Sequence, residues 1–304
     1  MTLPERPLPP TGAPGASPGT DGDVTGASDL VMFWNLYEAG VDRYYGRDER
    51  WHLQRDLVLD HRPRVLMTTE GWGWDLDDRA FFEDAKAAFG MDGVLFPAKT
   101  GCNLAVFWQR DIELVEVEQS APDLAQWHGH GSATLRLPSR SAPLRFVVAH
   151  LDPYSATNRR IESDHLRRYA DPDAPHPTLL AMDANTVPPG DAEPDWSTVP
   201  RHRRADHTMP GEDHADRAPL HRLLDAAPEP LFLDAGARTG DRSPTFGFHP
   251  PGEAARRIDV FLLTPGLAGD LAAYRPVDDP RLHPHGTRPA ASDHRPITLR
   301  LHRR

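Results

Sequence analysis

From residue 30 to the C terminus the chain keeps returning to one pattern, a strand-length apolar run that reaches an acid, an amide or a histidine. The runs are LVMFWNL, RVLMTTE, LAVFWQ, IELVEV, SATLRL, LRFVVAH, TLLAMD, RIDVFLL and PITLRL. Their length, β-branched content and bounding turn formers read as strands. IELVEV and ATLRL alternate polar with apolar and suit half-exposed strands, whereas LRFVVAH and RIDVFLL are nearly continuous and suit strands buried on both faces. Helical stretches lie between them at 47–61, 77–90, 157–170 and 215–227, the second ending at a capping Gly90. At 304 residues the chain is long for one domain but within reach of a single packed core.

Two segments depart from this pattern. Residues 1–27 are rich in Pro, Gly, Ser and Thr and are expected to be a disordered tail, leaving one folded unit over 28–304. The tail's GASPG matches the serine-hydrolase pattern G-x-S-x-G, but it has no strand before it and no helix after it, so Ser17 is set aside. The second segment, about 186–216, is a long proline-studded loop following TLLAMD. Loops of that length are uncommon unless functional or disordered, and one beside a reactive strand end could close over a substrate.

Composition narrows the function. The net charge of −11 argues against a nonspecific nucleic-acid binder, though a local cationic or metal site can still act on phosphate. The single cysteine, Cys102, excludes a disulfide framework and a cysteine-based zinc site, and reads as a small core or loop residue. No apolar run spans a membrane and the N terminus lacks a secretion signal, so a cytoplasmic protein is the expectation.

The strand ends carry the chemistry. Asn35, Glu70, the pair His150 and Asp152, and the pair Asp183 and Asn185 each close a run. Asp259 stands just inside RIDVFLL, and Asp293 and His294 precede the last strand. Positions i and i+2 of a strand share a face, so Asp183 with Asn185, and His150 with Asp152, can each point at one target. Taken singly, each residue is equally a polar strand cap or turn former; together they form a site only if the fold gathers them. Hard oxygen ligands suit Mg²⁺ or Mn²⁺. Amides and histidines beside such an ion can hold phosphoryl oxygens, which describes metal-assisted attack of water on phosphorus.

The ordered set WN, a strand ending in Glu70, HLDP, MDANT, RRIDVFLL and SDHRPI resembles the endonuclease/exonuclease/phosphatase superfamily over roughly residues 30–302. The resemblance implies a four-layered α/β sandwich, with two mainly antiparallel sheets packed face to face and helices outside. It implies Glu70 as principal metal carboxylate, assisted by Asn35 and Asp293. His294 would contact the scissile phosphate and pair with Asp259. Asp183 would activate water, Asn185 would hold a phosphate oxygen, and His150 would hydrogen-bond or protonate the phosphate or leaving group. The chain departs from the family where TTE replaces its usual QE, and MDAN its GDFN or GDLN; both changes bear on the pocket more than on the ligands.

The expected substrate is a phosphate ester: nucleic acid, nucleotide or phosphorylated metabolite. Tyr154, Arg159 and Trp72 are candidates to bind it. Arginines at 159, 160, 167, 168, 201, 203 and 204 are interrupted by acids and form no continuous basic track. Trp74 reads equally as core, and WHGHGS at 127–132 reads as a turn before a strand. The histidines at 202, 207, 214 and 221 match no zinc spacing. A non-hydrolytic metal enzyme of secondary metabolism on the same fold and a catalytically silent phosphate-ligand binder are the competing readings.

Overall fold

A computed structural model describes residues 28–119, 126–225, 228–249 and 253–304; the N-terminal tail expected over 1–27 lies outside them. Among the described residues the strands form two six-stranded sheets. The first contains β1 (Ser28–Asn35), β2 (Val65–Trp72), β3 (Met91–Phe96), β4 (Cys102–Gln109), β11 (Leu271–Pro276) and β12 (Ile297–His302), in the order β11-β12-β1-β2-β4-β3. The second contains β5 (Glu113–Gln119), β6 (Gly129–Arg136), β7 (Leu144–His150), β8 (Thr178–Asp183), β9 (Leu233–Asp234) and β10 (Asp259–Leu263), in the order β5-β6-β7-β8-β10-β9. Neighbours run antiparallel except β1 with β2 and β7 with β8. The helices are α1 (Ala39–Tyr44), α2 (Glu49–His61), α3 (Ala80–Phe89), α4 (Ala156–Leu166), α5 (Arg201–Arg204), α6 (Ala218–Leu224) and α7 (Ala235–Thr239).

Residue parity builds the layers. In β1, Val31 and Phe33 enter the core between the sheets, while Met32 and Trp34 join the outer core with Trp51 and Leu57 of α2 and Phe82 of α3. In β8, Leu179 and Ala181 face the other sheet, and Leu180 and Met182 pack with Leu166 of α4 and Leu220 of α6. Each central strand is therefore buried on both faces, which is why these runs are apolar without alternation. The result is helices, sheet, sheet, helices, the expected four-layered sandwich with two mainly antiparallel sheets.

Three expectations change. β3 and β11 were not legible as strands; Gly93 interrupts β3 at a point where a Cβ would meet Phe107. β5, expected to be half-exposed, is an edge strand with Leu114, Val115 and Val117 all open to solvent. The segment at 186–216 has structure of its own: a 3-10 turn at Trp196–Thr198, helix α5, and a bridge from Thr208 to Ala215. It carries a small core of Val187, Trp196, Val199, Ala215 and Ala254. Asp191 ties it to the fully buried Arg257, which also pairs with Asp234 at 2.6 Å. Proline density marked this segment, but buried ion pairs and an apolar cluster fold it into a wall.

Candidate active site

The parity that builds the core also aims the site. Asn35 continues the inward series of Val31 and Phe33, and His150 that of Phe146 and Val148. Asp183 follows Leu179 and Ala181, and Asp259 precedes Phe261 and Leu263 on the same face. All four stand at the mouth between the sheets, where the apolar filling stops. Glu70 is an exception: with Val65 and Met67 facing inward, an unbroken strand would turn it outward. The register of β2 against β4 shifts between Thr68 and Gly71, and Glu70 adopts a left-handed φ of 62°. This bulge re-aims the carboxylate into the mouth, at a backbone cost that non-glycine residues rarely carry.

Asn35 links the two sheets, its Nδ2 donating to Glu70 Oε1 and to Asp183 Oδ2, each at 2.9 Å. The Glu38 backbone N–H donates to Glu70 Oε2 at 2.9 Å. Burial, with Asp293 adding to it, raises the Glu70 pKa, and burial likewise raises that of Asp293. Among the described residues, nothing hydrogen-bonds the buried Asp293 Oδ1. Two desolvated carboxylates in one another's field, with an unsatisfied oxygen and an amide beside them, fit a hard divalent cation, because a cation supplies the charge they lack.

The second sheet presents a proton-handling set. His294 Nδ1 is 2.9 Å from Asp259 Oδ2, as expected. Its Nε2 lies 3.8 Å from Asp183 Oδ2, and His150 Nε2 approaches the same oxygen to 3.4 Å. Burial alone would push the His294 imidazole down, but Asp259 and Asp183 outweigh it and lift its pKa to about 10. Burial, reinforced by His128 and His294, holds His150 neutral. Burial raises Asp183 to about 7, against the opposing pull of His294. The SDH segment is pinned by Ser292, whose Oγ donates to Asn35 O at 2.8 Å and accepts from the His294 backbone at 3.0 Å, while Trp34 Nε1 donates to His294 O at 3.0 Å.

Asn185 sits at the cleft with a left-handed φ of 46°; its N–H donates to Asp183 Oδ1 at 2.9 Å and its Nδ2 to Leu151 O at 3.0 Å. Trp72 and Tyr154 also line the cleft. Arg159 does not: it is fully buried, and its guanidinium donates to Asp152 O at 2.8 Å and Asp206 O at 2.5 Å. Its place on the inner face of α4 makes it a tie between that helix and the 186–216 wall rather than a substrate contact. Asp152 turns from the expected shared target with His150 and accepts from the backbone N–H groups of Tyr154 and Ser155 and from the Asn158 side-chain Nδ2. Trp74 belongs to the core.

Other cleft residues were not read from the sequence. His128 stacks on His150 with centroids 4.2 Å apart and planes 21° apart, and its Nδ1 is 2.8 Å from Thr100 Oγ1. Cys102 Sγ lies 3.7 Å from His150 Nδ1, and burial raises its thiol well above the usual value. These three could be grouped as metal ligands, but near-parallel rings direct their nitrogen lone pairs side by side rather than at one centre, so we read them as a neutral stack. From the far wall come Arg203, His207 and Arg256, the last over the Phe246 ring at 4.6 Å and within the field of Asp183. The cue for His128 was the WHGHGS segment itself, since Gly129 pairs with His150 across β6 and β7.

No family model matches the chain, and no curated protein matches it. Solved structures do. An endonuclease/exonuclease/phosphatase family protein from Bacteroides thetaiotaomicron is 16% identical, with a TM-score of 0.64 over 90% of this chain and 97% of its own. A mannosyl-6-phosphatase from the same organism is 16% identical, with a TM-score of 0.61 over 90% and 99%. An AP endonuclease from Archaeoglobus fulgidus is 15% identical, with a TM-score of 0.61 over 89% and 98%. By its layers, its strand order and these likenesses, the chain has the endonuclease/exonuclease/phosphatase fold.

Proposed function

We infer that the chain is a divalent-metal-dependent hydrolase of phosphate esters. The observation that carries this reading is the convergence on Asp183 Oδ2 of Asn35 at 2.9 Å, His150 at 3.4 Å and the Asp259-paired His294 at 3.8 Å, beside Glu70 and Asp293. A mannosyl-6-phosphatase and an AP endonuclease on the same fold support the phosphate-ester class.

Each residue has work suited to its state. Asp183, raised to about 7, is a base matched to neutral pH and takes the proton of an attacking water. The imidazolium of His294, held cationic by Asp259, offers its Nε2–H to a phosphoryl oxygen as negative charge develops there. His150, neutral and carried at the end of β7, hydrogen-bonds the phosphate or the leaving oxygen. Asn185 meets a further phosphoryl oxygen, and Tyr154 and Trp72 contact the rest of the substrate. Glu70, steadied by Asn35, and Asp293 would hold Mg²⁺ or Mn²⁺. When bound, that ion supplies Lewis-acid polarisation of the phosphoryl group.

The test is turnover of phosphorylated metabolites, nucleotides, bis-p-nitrophenyl phosphate, nicked DNA and RNA with Mg²⁺, Mn²⁺ or EDTA. We expect release that EDTA abolishes and that Glu70→Ala and Asp183→Ala both lose. Binding of metal without turnover of any of them would sink the hydrolase reading.

A further inference from the structure

Trp127 and Tyr154 stand together at one rim of the cleft, 37% and 65% exposed, with ring centroids 5.8 Å apart and planes at 83°. Behind them His128 meets Trp127 edge-on and stacks on His150, so aromatic faces run from the rim to the reacting groups. Single exposed aromatics are ordinary on protein surfaces. This pair is held in place by buried polar groups. Glu162, 3% exposed, accepts the Trp127 N–H at 2.6 Å through one carboxylate oxygen and the Asp152 N–H at 2.7 Å through the other. Asp152 in turn accepts the Tyr154 N–H at 2.7 Å, and Arg159 donates to Asp152 O at 2.8 Å. Burying a carboxylate costs several kcal/mol unless hydrogen bonds compensate. Here the compensation fixes the two chain segments that carry the rings.

What the corner offers is two exposed aromatic rings set nearly perpendicular, and the polar neighbours closest to it are engaged elsewhere. Gln126 Nε2 meets His165 Nδ1 at 3.0 Å, Thr100 meets His128, and Asp152 holds the following turn. A sugar ring, which needs partners for several hydroxyls, is served less well than a planar π-ring. Arg203, Asp206 and His207 also line the cleft, which is about 560 Å³, of small-molecule size. A base inside a duplex has both faces covered by its neighbours, whereas the base of a free nucleotide has both open. We propose that the Trp127–Tyr154 corner is a ring-stacking subsite, and that the phosphate ester handled here belongs to the mononucleotide class. The substrate assignment rests on the hydrolase reading; the subsite is testable without it.

The experiment is calorimetric titration of adenosine 5′-monophosphate and ribose 5-phosphate, which differ by the base alone, into the wild-type chain, Trp127→Leu, Trp127→Phe and Tyr154→Leu. Stacking of one base is worth about 5- to 150-fold in affinity. Wild type should prefer the nucleotide by a factor in that range. Trp127→Leu and Tyr154→Leu should cut the preference toward unity, and Trp127→Phe should keep most of it. Equal affinities in the wild type, or a preference unmoved by both leucine variants, would overturn the subsite. Tighter binding of a short single-stranded oligonucleotide than of the mononucleotide would overturn the small-molecule assignment. Phosphate release is then measured on both ligands with Mg²⁺ or Mn²⁺. Hydrolysis of both without base preference would leave the hydrolase and remove the subsite, whereas a base preference without any hydrolysis would do the reverse.

Discussion

The two sheets meet at the cleft with different chemistry. The first sheet brings Asn35 and Glu70, with Asp293 from the segment leading into β12: two acids whose burial outweighs the pull of His294, and an amide bonded to Glu70. The second brings His150, Asp183 and Asp259, with His294 crossing from the first sheet's side to pair with Asp259. One end is dominated by desolvated carboxylates and suits a cation. The other balances imidazole against carboxylate and suits proton transfer and anion binding. Asn35 joins them by donating to an acid on each side. The difference teaches that two chemically unlike ends of one cleft can sit one side chain apart, while His294 still acts on Glu70 and Asp293 across the boundary.

The sharpest way to break the comparison is to remove one acid from each side. Asp183→Asn should lower kcat by about 10²–10⁴ while leaving the metal concentration for half-activity nearly unchanged. Glu70→Gln should instead raise that concentration by more than the roughly 10–100-fold that loss of an outer partner costs. Steady-state rates across a metal titration separate the two; equal shifts in both variants would mean the sheets do not divide the work.

Next comes the imidazole pair. His294→Gln and Asp259→Asn should each cost about 10²–10³ in kcat, and the double variant little more than either, because the acid acts through the ring. Multiplicative losses would show that they act independently.

The pH profile is a smaller effect, about tenfold per unit on each limb. Asp183 works deprotonated, so the rate should fall as pH drops through about 7; His294 works protonated, so it should fall again as pH rises through about 10. A bound cation lowers the acid limb, which a Mg²⁺ series would reveal. No fall in rate on the acid side down to about pH 3, at any Mg²⁺ concentration, would rule out Asp183 as the base.

A last effect, on stability rather than rate, lies behind the rim. Burial lifts Glu162 to about 7 from an ordinary 4.5. Its raised pKa contributes stability that is complete below pH 4.5 and lost as pH rises through 7, on the order of 3 kcal/mol in all. Thermal melts of Glu162→Gln should lack that decline, so the variant gains on the wild type between pH 5 and 8. Parallel curves would show that the carboxylate is not desolvated.

Much of the site was legible because strand geometry is local. The i, i+2 rule carries Asn35, His150, Asp183 and Asp259 onto one face once their strands are identified. It misleads at Asp152, which lies past the end of β7 and holds the turn leading into α4. It gives no warning for Arg159, whose position on a charged-looking helix hides full burial. His128, Cys102 and Trp127 escaped for a different reason: each is ordinary in its own segment and acquires meaning only against His150 or Tyr154.

The amino-acid order by itself determined which residues end strands, which face each strand turns inward, and hence the chemical types available at the mouth between the sheets. Those properties follow from a period of two residues along one chain. Only the tertiary structure decided who meets whom. Asn35 reaches Asp183 across 148 residues of chain, and His294 reaches Asp259 across 35. The bulge that turns Glu70 inward exists because β2 must keep pairing with β4 on both sides of it. Pairings of that range depend on the packing of both sheets at once, and no local rule contains them.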